Sequence, residues 1–382
     1  MTAPLDGVVV VALEQAVAAP FASRHLADLG ATVVKVERPG VGDFARSYDT
    51  NMAGQSTFFV WANRGKQSIA LDLKDAGDRA TFDALVAGAD VFIQNLSSAA
   101  ARRAGVLADQ LTESHPTLIA CDISGYGTGG PRTDDKAYDL AIQAEAGAMA
   151  LTGSADEMSK IGFSVADICA GMYAFSSILA ALYRRSVTGE GAAISLSMLE
   201  CLTEWTSVHV YNAANGVSVE RAGHRHASIA PYGSYELSDG SRVLVAVQSN
   251  PEWVSFAEHV LGDARIATDP RFVDNADRIA NVADLEVEIR RVFRAVEPDE
   301  IVARLERGRV AWARARTPIE VWEHEQHAAR DRFMPVDVPG GRTTMFLPPF
   351  NISGVPAPPA AVPALDDHDD GTIADIIARD ER

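Results

Sequence analysis

Cysteine is scarce. Cys121, Cys169 and Cys201 are three in 382 residues, far apart and without CxxC spacing. That excludes a disulfide scaffold and a thiolate metal site, and makes free thiols in a reducing compartment the expectation. Positive charge is scarce too, with 34 Lys and Arg against 52 Asp and Glu, a formal net charge of −18. So acidic a chain repels polyanions, which excludes nucleic acid and anionic membrane surfaces as partners. An anionic small ligand would need a local cluster of Lys and Arg. Glycine is missing where a dinucleotide loop requires it, because the first strand-to-helix turn, 14-EQAVAAP-20, has none; NAD and FAD are not expected. The N-terminus, MTAPLDGVVVVALEQ, has no basic stretch and meets Asp6 early. It does not read as a signal peptide, and a cytoplasmic protein is expected.

A long apolar run is almost present, in 160-KIGFSVADICAGMYAFSSILAALYRR-185, where Asp167 is the single charge between Lys160 and Arg184. After Asp167 the uncharged part is 16 residues, Ile168 to Tyr183, and it contains Gly171, Ser176 and Ser177. This falls short of the roughly 20 apolar residues of a membrane span and reads as a buried helix.

What the sequence does contain is alternation of strands and helices. The runs 7-GVVVVAL-13, 31-ATVVKVE-37, 68-SIALDL-73, 90-DVFIQN-95 and 117-TLIACDIS-124 are β-rich, and helical spacing covers 20–30, 75–88 and 98–113. Strand–helix alternation predicts a doubly wound, mostly parallel sheet with helices on both faces. The segment 192-AAISLSMLECLTEW-205 begins as a strand and continues as a helix. Beyond residue 215 the pattern changes. Segment 232-YGSYELSDGSRVLVAV-247 is a hairpin turning at Asp239–Gly240, followed by charge-rich helical patterns through 252–308 and a Pro/Gly-rich tail over 334–365 that reads as an extended arm. The expected organisation is a large domain from residues 1–215, a smaller α+β domain over 216–320, and an arm over 321–382 returning to the large domain.

Few local motifs carry chemistry. The loop 124-SGYGTGGP-131 follows a strand, but its glycine spacing is not the dinucleotide fingerprint and no helix starts behind it. His224 and His226, and His324 and His327, lack a third ligand nearby in sequence and read as loop or surface histidines, so no metal is expected. Asp167 has two readings. As an N-cap of a helix starting at Ile168 it would accept backbone N–H bonds. As a carboxylate at a helix N-terminus with small neighbours (Ala166, Ala170, Gly171), it would also be favoured as an anion with room for substrate beside it.

The order of the segments resembles the family III CoA-transferases, the formyl-CoA transferase and carnitine CoA-transferase-like family. The resemblance rests on 19-APFASRHLADLGATVVKVERPGVGD-43, 63-NRGKQSIALDLK-74, 122-DISGYGTGGP-131, 138-YDLAIQA-144, 165-VADICAGMYAFSSILAALYRR-185, 188-TGEGAAISLSMLE-200, 231-PYGSYELSDGSR-242 and 365-LDDHDDGTIADII-377. It implies an acyl-CoA and a free small carboxylic acid as substrates, no tightly bound cofactor with coenzyme A as part of the substrate, and a homodimer of interlocked rings. The family nucleophile, an Asp in the VADxxxG context, falls on Asp167. The CoA site falls on Val17, Ala18, Arg38, Leu71, Lys74, Asn95, Leu96, Arg103, Lys136 and Tyr138, with the four cations reaching the phosphates. Two departures stand out. Where the family reads N-F-R-P-G this chain has 95-NLSSA-99, and in place of a glycine-rich loop of the small domain it has 247-VQSNPEW-253. The second points away from oxalate and formate. Segments 227-ASIAPYG-233, 248-QSNPEW-253 and 320-EVWEHEQHAARDRF-333 look more like relatives handling C4–C5 dicarboxylic acids, such as mesaconyl-CoA transferases. Two alternatives are an α-methylacyl-CoA racemase, whose catalytic His position here holds Tyr138, a poor base at neutral pH, and a non-catalytic CoA-binding protein.

Overall fold

The computed structural model describes residues 2–379. In chain order it begins with β1 (Val9–Leu13), α1 (Ala18–Asp28), β2 (Thr32–Glu37), α2 (Thr57–Asn63), β3 (Lys66–Ala70), α3 (Ala76–Ala87), β4 (Val91–Gln94), α4 (Ser98–Ala104), α5 (Ala108–Ser114) and β5 (Ile119–Ser124). Then come α6 (Asp139–Glu145), the single turn α7 (Ala148–Leu151), α8 (Val165–Thr188), β6 (Ala192–Ser197) and α9 (Met198–Ala214). The middle of the chain adds β7 (Tyr232–Glu236), β8 (Arg242–Ala246), α10 (Asn250–Ser255), α11 (Asn275–Ala280), α12 (Val282–Ala295), α13 (Pro298–Arg307) and β9 (Ala311–Arg314). Last are α14 (Pro318–Trp322), α15 (Glu325–Ala329), β10 (Phe333–Val338), β11 (Gly341–Phe346) and α16 (Asp370–Ile377).

The chain divides into two compact units: residues up to Ala148, Lys160–Asn215 and the chain from Ala328 onward form one, and Met149–Ser159 with Gly216–His327 form the other. The first unit is an α/β fold on a six-stranded sheet of order β3-β2-β1-β4-β5-β6, parallel throughout. Its strands are nearly continuous Val/Ile runs because both faces are covered. On one face Ala22, Leu26, Cys169, Ala174 and Ile178 of α1 and α8 form the core; on the other Phe82, Leu85, Leu111 and Ile376 of α3, α5 and α16 do so. All three cysteines are buried free thiols. The strand order reverses between β1 and β4, which leaves a crevice at the carboxyl edge of the sheet.

Two local readings need correction. The helix expected over 98–113 is two, α4 and α5, because Gly105 takes φ +66° and closes α4 with a left-handed cap. The tail expected as an extended arm starts as the antiparallel hairpin β10–β11, turning at Gly340 with φ +94°. Beyond it, Ser68 donates to the carbonyl of Asp367, so the chain end runs along the outer edge of β3. The second unit carries the hairpin β7–β8, with β9 pairing antiparallel to β8. That third strand lies in 311-AWAR-314, where flanking arginines masked it.

Candidate active site

Helix α8 begins at Val165, earlier than the sequence suggested, so Asp167 lies inside the first turn and is not the cap. Asp139 does the capping from α6: its Oδ1 accepts from the Ala166 backbone N–H at 2.8 Å and its Oδ2 from Gln143 Nε2 at 2.7 Å. Gln143 in turn accepts from the Ile161 N–H at 2.8 Å, which staples the entry to α8 onto α6. Asp167 is thereby released from structural duty. It is half-buried, and neither hydrogen bond nor ion pair engages its carboxylate among the described residues. Burial first, and then the charge of Asp139, push its carboxyl up to about 7. The helix N-terminus favours the ionised form of Asp167, but desolvation and a like-charged neighbour outweigh it.

Helices α1 and α8 run side by side in the same direction. A Cβ on Gly171 would meet the Ala18 carbonyl at 2.6 Å and Phe21 at 3.1 Å, and further along His25 meets Phe175 with ring centroids 5.4 Å apart. Asp167 precedes Gly171 by one turn, about 6 Å along the axis, which sets it level with the loop between β1 and α1. That loop is fixed on both sides. Asn95, just after β4, accepts from the Gln15 N–H at 2.9 Å and donates to the Gln15 carbonyl at 2.8 Å, bridging the point where the strand order reverses. Ala16 has a left-handed φ of +61° and donates its N–H to Asp43 at 3.0 Å. Helix α1 starts at Ala18 with no side-chain cap.

The sequence-nominated residues separate into groups. Val17 and Ala18 are buried at the start of α1, and Leu71 and Leu96 pack on the opposite sheet face with α3–α5. The amide of Asn95 is committed to Gln15, so it holds the loop. Arg38, Lys74 and Lys136 stand exposed on loops after β2, β3 and β5, and Arg103 is exposed on the last turn of α4. In a unit whose other cations are mostly engaged (Arg24, Lys35, Arg46, Arg64, Lys66, Arg132, Arg184 and Arg185 among them), these four side chains have no ion-pair or hydrogen-bond partner among the described residues. Arg330 shares that condition. Tyr138 is 72% exposed at the start of α6.

Sequence reading missed an aromatic group beside Asp167. Phe44 and Tyr48 have ring centroids 5.8 Å apart, Tyr48 and Phe58 5.5 Å, and all three are exposed. Burial, then the nearby charges of Asp43 and Asp167 and the phenol of Tyr138, push the Tyr48 phenol up to about 12. The only hint in sequence was apolar side chains in a loop, 41-VGDFARSY-48, that hydropathy cannot assign to a core. The arrangement joins an unpartnered carboxylate titrating near neutrality, an apolar aromatic wall and an edge with uncommitted cations. It can present a carboxylate nucleophile to a ligand bearing distant negative charge.

The chain matches CoA-transferase family III over residues 5–369. It is 37% identical over 293 residues to an acetyl-CoA:oxalate CoA-transferase of Acetobacter aceti, covering 76% of this chain and 75% of that one. It is 32% identical over 380 residues to a succinyl-CoA:mesaconate CoA-transferase of Haloarcula marismortui, covering 95% and 94%. Its fold matches the crystal structure of a CAIB/BAIF family protein from Brucella suis with a TM-score of 0.85 at 32% identity, over 98% of this chain and 100% of the other. With that match running along nearly the whole chain, the protein belongs to CoA-transferase family III.

Proposed function

We propose that the protein moves CoA from an acyl-CoA thioester to a free carboxylic acid, with Asp167 as the nucleophile. The observation that carries this is the Asp167 carboxylate, relieved of capping by Asp139 and level with the β1–α1 loop at the crevice of the sheet. A carboxyl titrating near 7 is partly ionised at neutral pH and more nucleophilic than an ordinary one. An oxygen of Asp167 attacks the thioester carbonyl, the C–S bond breaks, and CoA leaves as the thiolate. The thiolate then attacks the Asp167 carbonyl carbon of the mixed anhydride, expelling the donor acid and leaving an aspartyl-CoA thioester. The acceptor carboxylate attacks that thioester, releasing the thiolate again, which takes the new acyl group and frees Asp167. Every step exchanges one activated acyl for another. The apolar body of α8 and the aromatic side chains Phe44, Tyr48 and Phe58 would limit water at the anhydride.

Arg38, Lys74, Arg103 and Lys136 would meet the CoA phosphates, the local positive field that an acidic chain needs for such a ligand. The acceptor class we favour is a C4–C5 dicarboxylic acid, in keeping with the mesaconate-directed relative; the oxalate-directed relative makes oxalate the second acid to try. We further propose a homodimer of interlocked chains. Trp205, Val208 and Tyr211 on the outer side of α9 are 53%, 67% and 63% exposed, an apolar stripe of the kind that marks a protein interface. Sedimentation should give a dimer at all micromolar concentrations; an active monomer would refute it.

The test of function is chemical. Wild-type protein is incubated with acyl-CoA and then with hydroxylamine or borohydride, and the peptide carrying Asp167 should alone be modified. Mass spectrometry should show a new CoA ester when a second acid is added. Modification of another carboxylate, or an epimerised donor with no new ester, would overturn the proposal.

A further inference from the structure

Beneath the β1–α1 loop lies a set of charges that the transfer chemistry above leaves unused. Glu14, Lys35, Asp43 and Lys66 have no exposed side-chain area at all. Lys66 Nζ lies 2.5 Å from Glu14 Oε1, and Lys35 Nζ lies 2.9 Å from Asp43 Oδ2 and 3.5 Å from Glu14 Oε1. Glu37 joins from behind, accepting from the Asp43 N–H at 2.8 Å and pairing with Arg46 at 2.6 Å, so three acids balance three bases. Burial opposes the charge on Lys35, yet Asp43, Glu14 and Glu37 outweigh it and raise its pKa, whereas at Lys66 burial prevails over the attraction of Glu14 and pushes the ammonium down to about 7.

Stability alone does not account for such a cluster, since well-packed apolar side chains generally do as well as buried ion pairs. Its hydrogen bonds, however, share a destination. Lys35 donates to the Glu14 carbonyl at 3.3 Å and Lys66 to the Pro20 carbonyl at 3.0 Å. Asp43 accepts from the Ala16 N–H at 3.0 Å, and Glu14 accepts from Ser23 Oγ of α1 at 2.7 Å. All four grip residues 14–23, and the Asp43 bond holds the one left-handed residue of the loop, Ala16, where a side chain makes that conformation unfavourable. The same stretch continues into the first turn of α1, which lies against Gly171 one turn from Asp167.

We propose that Glu14, Lys35, Asp43 and Lys66 are positioning residues for CoA transfer, a buried ionic clasp that sets the main chain of residues 14–18 against Asp167. This rests on Asp167 being the nucleophile. Reaction geometry is sensitive to displacements of an ångström, and the clasp fixes the loop by directional bonds from β2, β3 and the segment after β2, which apolar packing would not supply.

The test compares Lys66→Met with the double variant Glu14→Gln/Lys66→Met. The single change takes from the buried Glu14 carboxylate its nearest cation, leaving only Lys35 at 3.5 Å and the Ser23 hydroxyl, and should lower both Tm and kcat. The double change removes the pair together, so Tm should recover most of its loss while kcat stays at least about tenfold down (~1.4 kcal/mol), with donor KM changed less than about threefold. Return of kcat together with Tm would show the cluster to be merely structural and overturn the proposal. If the double variant does not fold, Asp43→Asn replaces it. It is nearly isosteric and keeps an acceptor for Ala16. Here a kcat lowered about tenfold per folded molecule supports the clasp, whereas unchanged kcat per folded molecule, or a rise in KM alone, overturns it. Trapping at Asp167 in the wild-type protein separates the two hypotheses. If wild type labels there and the variants behave structurally, only the clasp fails; if wild type does not label there, the nucleophile assignment has failed.

Discussion

Replacing Asp167 by Asn should make the protein inactive and more stable at once. In the folded chain burial and Asp139 raise the Asp167 carboxyl to about 7 from an ordinary 3.8. A raised carboxyl pKa means the folded state prefers the protonated form. Its stability contribution is complete below about pH 4 and is lost as pH rises through 7. Three units at about 1.4 kcal/mol each set an upper bound near 4 kcal/mol. Asp167 is only half-buried, so water screens part of this, and about 2 kcal/mol is the working figure. Asn has a similar shape and no ionisation. Asp139, not residue 167, caps α8, so the helix start survives. Asp167→Asn should therefore match wild type in Tm near pH 4, exceed it progressively between pH 4 and 7, and remain a few degrees higher above that. CoA transfer should fall by three orders of magnitude or more, on the order of the losses that follow removal of a covalent nucleophile. Thermal melts at pH 4, 6 and 8 beside transfer assays provide the check. Near-wild-type transfer would remove Asp167 from the chemistry, and a Tm difference that ignores pH would refute the desolvation argument.

Three further outcomes follow. Wild-type kcat/KM should rise with pH to a plateau above about 7, and Asp139→Asn, which keeps an acceptor for the Ala166 N–H while removing the like charge, should move that inflection to lower pH; an unmoved inflection would mean that another group titrates. Changing Arg38 or Lys136 to Ala should raise donor KM roughly fivefold, about 1 kcal/mol per phosphate contact, with less effect on kcat and a smaller penalty at high salt; unchanged KM in both would take them out of the CoA site. Gly171→Ala forces a Cβ against the Ala18 carbonyl, and the resulting shift of α1 should cost about 1–3 kcal/mol by chemical denaturation together with much of the activity; full tolerance would mean that α1 and α8 are free to part.

What was legible in the sequence is whatever local pattern determines. Val-rich runs alternating with amphipathic stretches imply a parallel sheet, because strands covered on both faces cannot alternate in polarity. A lone Asp in an apolar helix was conspicuous for the same reason, since charge within such a run needs an explanation. Left-handed glycines were less legible: Gly105 split a helix whose apolar spacing ran on through it. What the sequence could not supply is anything set by residues far apart in the chain. Asp139 as the cap of α8 joins positions 27 apart, Asn95 bridges to Gln15 across 80, and Lys66 meets Glu14 across 52. Hydropathy assigns a Lys or Glu to the surface by default, so nothing local marks Lys35, Lys66 and Glu14 as buried partners; only the fold brings them together. Two effects at Asp167 also had opposite signs, a helix N-terminus favouring its charge and burial opposing it. Which one prevails depends on how much water the surrounding helices exclude, a quantity fixed only when α1, α6 and α8 are packed.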